Sequence, residues 1–466
     1  MNKESREQEE RTEEKEEFFA ESGTPQEEIP EKKSKKKRRV TACVIAGAIA
    51  LCSFFGGWLT SYLSLDKEMR ALNRLKSRIQ KSYYEEVTDE EFYSVLFSAV
   101  NERILDAYSA YMTEEEYAAA KKQATGSQSG LGLAFSSGVT GEEELKILRV
   151  SGNSPAEEAG LVAGEYIVGY GADEKTDAPM QTEDGEGYFE TFYAFLSGYE
   201  TGETLYLRVR AADGTERVVP IAKAAYIESY VSYRTNARGY GFTDGDYETV
   251  ERGSALKGLP DDAAYIRLTQ FNGNAAEEFD AAMELFSKQK MKTLVLDLRG
   301  NGGGYLDIML EIASYFCKDS EKRKPVAAIA DYGESTENFY ATGNCYDEYF
   351  KEDSRIFVLA DNQTASASEC LIGCMLDYNA ISYGDICLAE RGGEVKTYGK
   401  GIMQTTYPLT GLNGDAVKLT TARICWPVTN NCIHERGIVL ADGTKEVAEN
   451  ADYETETKNA LSVLFG

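Results

Sequence analysis

Three short stretches of the chain hold residue types able to make or break a covalent bond. Thr364-Ala365-Ser366-Ala367-Ser368-Glu369 follows an apolar run, Arg355 to Ala360, and opens a helical pattern from about Ser366. A serine at such a strand end is exposed as a nucleophile, and the first amides of the helix offer donors to an anion. Gly399-Lys400-Gly401, with Gln404 four residues on, sets an amine between two glycines just before a strand-like run, Met403 to Leu409. A lysine serves as general base only when burial depresses its pKa. Asp297-Leu298-Arg299-Gly300-Asn301-Gly302-Gly303-Gly304 follows a buried strand pattern, and consecutive amides in such a turn can hold a developing oxyanion. Each stretch also has an ordinary reading: a helix cap at Ser366 or Ser368, a surface lysine, a tight strand-to-helix turn. The glycine run is not a dinucleotide fingerprint, because Tyr305 stands where the last glycine is needed.

Composition narrows the chemistry. The 466 residues carry 50 basic and 78 acidic side chains, a formal charge of −28, which argues against nucleic acid as a partner. The single histidine, His434, excludes multi-histidine metal sites and makes any histidine-activated nucleophile depend on that residue. The segment Ile424 to Ile433 reads as a hairpin before it, which favours a structural role. Nine cysteines in so long a chain do not form a disulfide scaffold. At 42% hydrophobic the chain can bury real cores, and its length suggests about three domains.

The elements that must position these residues follow in order. Residues 1–39 are highly charged and read as a disordered cytoplasmic tail ending in the basic cluster Lys32 to Arg39. Val40 to Leu65 carries no charge and is long enough for one transmembrane signal-anchor helix. The basic cluster on its N-terminal side predicts a single pass through the plasma membrane, with the rest of the chain extracytoplasmic. A cleaved signal peptide is the rival reading. Residues 66–125 show helical spacing, with a start at Thr88-Asp89-Glu90-Glu91, and leave open the pairing of two chains. Residues 126–225 change to short strands, with a capped helix at Ser154 to Gly160 and a hairpin around Asp213-Gly214. From 226 to 466 strands and helices alternate, with Ala264–Leu268, a helix from Ala275 to Phe286, and Thr293–Leu298 forming one strand–helix–strand unit. The expected fold is therefore an α/β (α+β) core with an N-terminal helical segment and one membrane helix.

In this order the pieces resemble the carboxyl-terminal processing peptidases, also called tail-specific proteases, from about residue 75 to about 445. Asp106 to Tyr111 is similar to that family's Asp-Pro-x-Ser-x-Tyr without the proline. Gly130 to Phe135 and Ser154 to Leu161 resemble the carboxylate-binding loop and helix of a PDZ domain. Tyr265 to Phe271 resembles the family's Tyr-Ile-Arg-Ile…Phe strand, and Leu298 to Gly304 its Leu-Arg-x-Asn-Pro-Gly-Gly turn, with Gly302 in place of proline. Leu419 to Arg423 and Gly437 to Asp442 complete the set.

The resemblance implies a membrane-anchored serine endopeptidase with an inserted PDZ domain at 126–225, a peptidase core at 226–466, and no metal or cofactor. Ser366 falls on the nucleophile, Lys400 on the general base, and Gln404 on its orienting partner. The oxyanion hole falls on the amides of Ala367 and the Gly303 region. Gly130, Leu131, Gly132 and Leu133 fall on the loop that binds the free C-termini of protein or peptide substrates. Arg391 to Lys396 departs from the pattern: it lengthens the Ser366-to-Lys400 spacing and brings in a rival lysine, Lys396. The alternative class is a catalytically inactive PDZ-containing binding or sensor protein of the same fold. Cys425 and Cys432 are expected either to bridge a short hairpin or to stay buried as thiols.

Overall fold

The computed structural model describes Ser53 and residues 66–135, 145–178, 188–211, 213–235, 238–240, 258–317, 324–342, 346, 349, 354–409, 414–441, 443–450 and 452–466. The expected tail at 1–39 and the apolar span at 40–65 lie outside these residues, apart from Ser53. Among the described residues no helix is long and apolar enough to cross a membrane. The chain divides into two compact units, Met1–Val95 and Leu96–Gly466.

In the first unit Lys67–Ser82 is helical, and Lys76 and Gln80 both reach the Asp89 carboxylate, at 3.0 and 2.7 Å. A second helix starts at Asp89, where Thr88 and Glu91 hydrogen-bond reciprocally. The segment 66–125 is not helical throughout, as its spacing had suggested. The Asp106 carboxylate accepts the amides of Tyr108 and Ser109 and turns the chain. Ala110–Met112 then pairs as a strand with Ala416–Cys425.

The main sheet of the second unit has seven strands. Their order is Arg238–Tyr240, Val231–Thr235, Ala263–Leu268, Thr293–Asp297, Arg355–Asp361, Ile386–Ala389 and Lys445–Val447. From Ala263–Leu268 onward every neighbour is parallel. The central strands are buried on both faces, as near-continuous apolar runs require. Ile266, Leu294 and Leu296 pack on the Ala275–Lys288, Leu306–Ala313 and Ala367–Asp377 helices. Tyr265, Val295, Phe357 and Leu359 pack on the C-terminal helix Tyr453–Phe465 through Ala460, Leu461 and Leu464. This is the α/β core the alternation indicated.

Leu133–Phe135, Leu145–Val150, Tyr166–Gly171, Thr204–Arg210 and Glu216–Ala222 build a separate five-stranded antiparallel sheet with its own core, including Ile147, Ile167, Tyr170, Phe192 and Leu207. The short helix Pro155–Glu158 is capped by Ser154, as its sequence signalled. The return to the main sheet at Ser229–Val231 is held by the buried Glu278, whose carboxylate accepts the amides of Tyr230 and Val231. Burial pushes that carboxyl up to about 7.

The hairpin expected at Ile424–Ile433 is a turn instead. The strand ends at Cys425, the Trp426 N–H donates to Asn431 O at 3.0 Å, and Asp377 takes the amides of Val428 and Thr429. Cys425 and Cys432, like Cys317 and Cys374, are unbridged in this structure, with burial and the neighbouring Cys432 pushing the Cys425 thiol up to about 11.

Candidate active site

Two adjacent parallel strands, Thr293–Asp297 and Arg355–Asp361, end at the same edge of the sheet, where open α/β sheets form their ligand crevices. The chain after the first makes the glycine-rich turn, and the chain after the second carries Ser366. Asn301 locks the two together. Its carbonyl oxygen accepts the Ala365 N–H at 2.9 Å and the Ser368 hydroxyl at 3.0 Å, and its side-chain amide donates to Leu268 O at 2.9 Å. Thr364 donates its hydroxyl to Leu298 O at 2.8 Å. Ser366 itself sits at φ 58°, ψ −115°, ahead of the Ala367–Asp377 helix. A non-glycine residue there carries backbone strain of about 1–3 kcal/mol, which surrounding bonds must hold. Gly303, at φ 102°, packs so closely that a Cβ on it would stand 2.8 Å from Ser366 Cβ.

Lys400 is half-buried, and its Nζ donates to Gln404 Oε1 at 2.8 Å. The Gln404 side-chain N–H in turn donates to the Tyr108 carbonyl, which fixes its orientation. Tyr108 also sets its ring 5.3 Å from Lys400 Nζ. Burial holds the Lys400 ammonium below the ordinary lysine value, and the Lys418 charge adds to the effect. Lys396 differs: its Nζ pairs with the Glu394 carboxylate at 3.3 Å, and that carboxylate is 54% exposed.

One buried side chain joins the serine and lysine segments. Glu369, with no exposed surface, accepts the Ser366 and Lys400 amides on Oε2, both at 2.9 Å. Its Oε1 accepts the Gly399 amide at 2.7 Å and the Thr397 hydroxyl at 2.5 Å. Desolvation raises the Glu369 pKa while these four bonds oppose the rise. A charged residue amid an otherwise buried helix face must be paired, and that is the signal by which Glu369 could have been found from sequence.

An open cleft of about 710 Å³ lies beside Ala365 and Lys400, lined also by Tyr108, Gly302, Lys396 and Tyr398 among others. The unusual loop 391–396 borders it and is firmly anchored. Arg391 donates to both oxygens of Glu456 on the C-terminal helix, at 2.6 and 2.7 Å, and lies 3.3 Å from Asp361. Glu456 is also bound by Arg299 of the glycine-rich turn at 2.7 Å.

Two assigned positions stand differently from expectation. The Gly303 N–H donates to Asn301 Oδ1 at 2.9 Å and so is not aimed at the cleft, because that side chain folds back two residues to satisfy it. The Ala367 N–H belongs to the first turn of its helix, where amides lack intrahelical acceptors. Leu131 is 3% exposed and belongs to the core of the smaller sheet, and what it shows at its surface lines a cavity beside the loop. Gly132, at φ 80°, lies where a Cβ would collide with Ser154, and Gly130 is at φ 150°. Residues 130–135 and the Tyr188–Ser197 helix flank a cavity of about 340 Å³ that Arg149 and Lys223 also line. His434 packs its backbone against Gly401 and its ring edge-on to Tyr108, 6.3 Å between centroids.

The profile of Peptidase family S41 matches residues 262–440, the stretch that contains Asn301, Ser366, Glu369, Lys400 and Gln404 but neither Tyr108 nor Glu456. A probable CtpA-like serine protease of Staphylococcus saprophyticus is 24% identical over 382 residues, covering 81% of this chain and 66% of the relative. The carboxy-terminal processing protease CtpB of Bacillus subtilis is 26% identical over 378 residues, covering 80% and 67%. A chloroplastic C-terminal processing peptidase of Tetradesmus obliquus is 29% identical over 327 residues, covering 69% and 61%. The chain thus spans about two thirds of the length of these relatives.

Proposed function

Because the chain belongs to the carboxyl-terminal processing peptidases of family S41, we propose that it is a serine endopeptidase working through a Ser366–Lys400 dyad. The observation that carries this reading is the pair of amides, from Ser366 and Lys400, held on one oxygen of the buried Glu369. Ser366 Oγ attacks the scissile carbonyl. Neutral Lys400 takes its proton and later returns it to the leaving amine. Gln404, accepting from Nζ, keeps the amine in one orientation. The Ala367 N–H donates to the oxyanion, and a second donor comes from the Gly302–Gly303 turn. For Gly303 to serve, its N–H must leave Asn301 Oδ1 when substrate binds. A fluorophosphonate or other serine-reactive probe is expected to label the wild-type chain at Ser366 and to leave Ser366→Ala unlabelled. Equal labelling of the two would remove Ser366 from the reaction and favour the binding-protein alternative.

The sheet at 133–222 acts in this reading as a PDZ domain that captures a substrate's free C-terminus. The support is the cavity beside residues 130–135, where positive-φ glycines turn the loop; its wall also carries Arg149, paired with Glu228, and Lys223, which donates to the Leu196 and Tyr199 carbonyls. A peptide substrate ending in an apolar residue should be cut several-fold faster as the free acid than as its amide. Equal rates would remove the carboxylate from recognition.

Val40 to Leu65, uncharged and preceded by a basic cluster, supports anchoring by one helix with the catalytic unit outside the cell. Protease added to intact cells should then digest residues beyond 66 and spare the tail. Loss of the tail with survival of the bulk would reverse the orientation.

A further inference from the structure

Cys317 and Cys374 line none of the cleft described above but lie on the segments that carry its chemistry. Cys317 follows the Leu306–Ala313 helix, which itself follows the Gly302–Gly304 turn. Cys374 lies two turns into the Ala367–Asp377 helix, behind Ser366. The two side chains are 2% and 0% exposed, and both belong to the main apolar core. Their sulfurs stand 3.1 Å apart, about 1 Å beyond disulfide bonding distance. Among the described residues this Sγ–Sγ contact joins two segments separated by 57 positions in the sequence.

We propose that Cys317 and Cys374 form a disulfide in the mature protein, and that this bond staples the helix behind the glycine-rich turn to the helix that presents Ser366. The inference rests on the extracytoplasmic placement proposed above, because exported proteins meet oxidants and cytoplasmic ones do not. The oxidant is a disulfide, either of a thiol oxidoreductase or of glutathione. One cysteine thiolate attacks that disulfide and forms a mixed disulfide, releasing the first thiol. The second cysteine thiolate attacks the protein sulfur of the mixed disulfide and releases the second. Both cysteine protons end on the two released thiols, and two electrons pass to the oxidant. The step precedes final packing of the helices, since the contact with Cys317, together with burial, holds the Cys374 thiol protonated and closed to exchange once the core has formed.

The pairing has competitors nearby. Cys370 is buried in the same cluster one turn before Cys374, and Cys425 neighbours Cys432. The decisive experiment refolds the full chain in oxidised and reduced glutathione, alkylates remaining thiols and maps the linked peptides. It does not depend on topology, so a failure there is distinct from a reversed orientation in cells. The expected result is a Cys317–Cys374 linked peptide. A Cys317–Cys370 link, or both Cys317 and Cys374 recovered alkylated, overturns the proposal. In the Cys425→Ser/Cys432→Ser background, oxidised protein should melt roughly 5–10 °C above the same protein refolded with reductant. An unchanged melting temperature would remove the staple even if a link were found.

Discussion

Lys400→Ala is expected to lower kcat for peptide cleavage by about 10²–10⁴-fold, the usual contribution of a general base, while leaving the fold intact. Lys400→Arg should be equally inactive, because a guanidinium stays protonated at any working pH. Lys396→Ala should keep most of the activity, since Lys396 pairs with the half-exposed Glu394. The reverse pattern would mean that the loop 391–396 has shifted the register and that Lys396 is the base. The pH dependence adds a second readout. Only the neutral amine accepts a proton, so kcat/KM should rise with pH through the Lys400 pKa, which burial places below the ordinary lysine value. The same shift has a sign for stability. A lysine whose folded pKa is depressed binds fewer protons folded than unfolded, so its contribution to stability grows as pH rises toward the unfolded value. Lys400→Met should therefore be no less stable than wild type at neutral pH, despite being inactive.

The local parts of this site were readable from the chain. Ser366, Lys400 and Gln404 stand in short motifs whose order along the sequence is specific, and the strand–helix–strand units around them follow from apolar spacing. The bonds that tie the motifs together were not readable in the same way. Gln404 is oriented by the Tyr108 carbonyl, 296 positions away, and Asn301 meets Ser368 across 67. Nothing in local periodicity reports such contacts. The strand Ala110–Met112 was missed because three residues are too few to show alternation, and its pairing with Ala416–Cys425 decides its form. Gly303 illustrates a third limit. Its position in the motif was legible, but the direction of its N–H depends on where the Asn301 side chain turns.

Glu369 carries the other large expected effect. Its two oxygens accept the Ser366, Gly399 and Lys400 amides and the Thr397 hydroxyl, in a place without water-accessible surface. Glu369→Ala would leave these donors without an acceptor, at about 1–3 kcal/mol for each one that cannot find another. It would also release the strained backbone of Ser366 from the Gly399–Lys400 segment. Displacement of a catalytic group by about 1 Å can cost on the order of 10²-fold, so kcat should fall by at least that much. Glu369→Gln separates loss of position from loss of folding. Glutamine keeps the volume, but its NH₂ must face either the Ser366 and Lys400 amides or the Gly399 amide, setting donor against donor. Thr397 alone can adapt, because its hydroxyl oxygen keeps a second lone pair after accepting the Ile438 N–H at 2.7 Å, whereas the three backbone amides can only donate. The variant should fold, melt several degrees lower, and lose kcat far more than it changes KM. Wild-type kcat in Glu369→Gln would show that the serine and lysine segments hold their places without this carboxylate, and the clasp would be structural only.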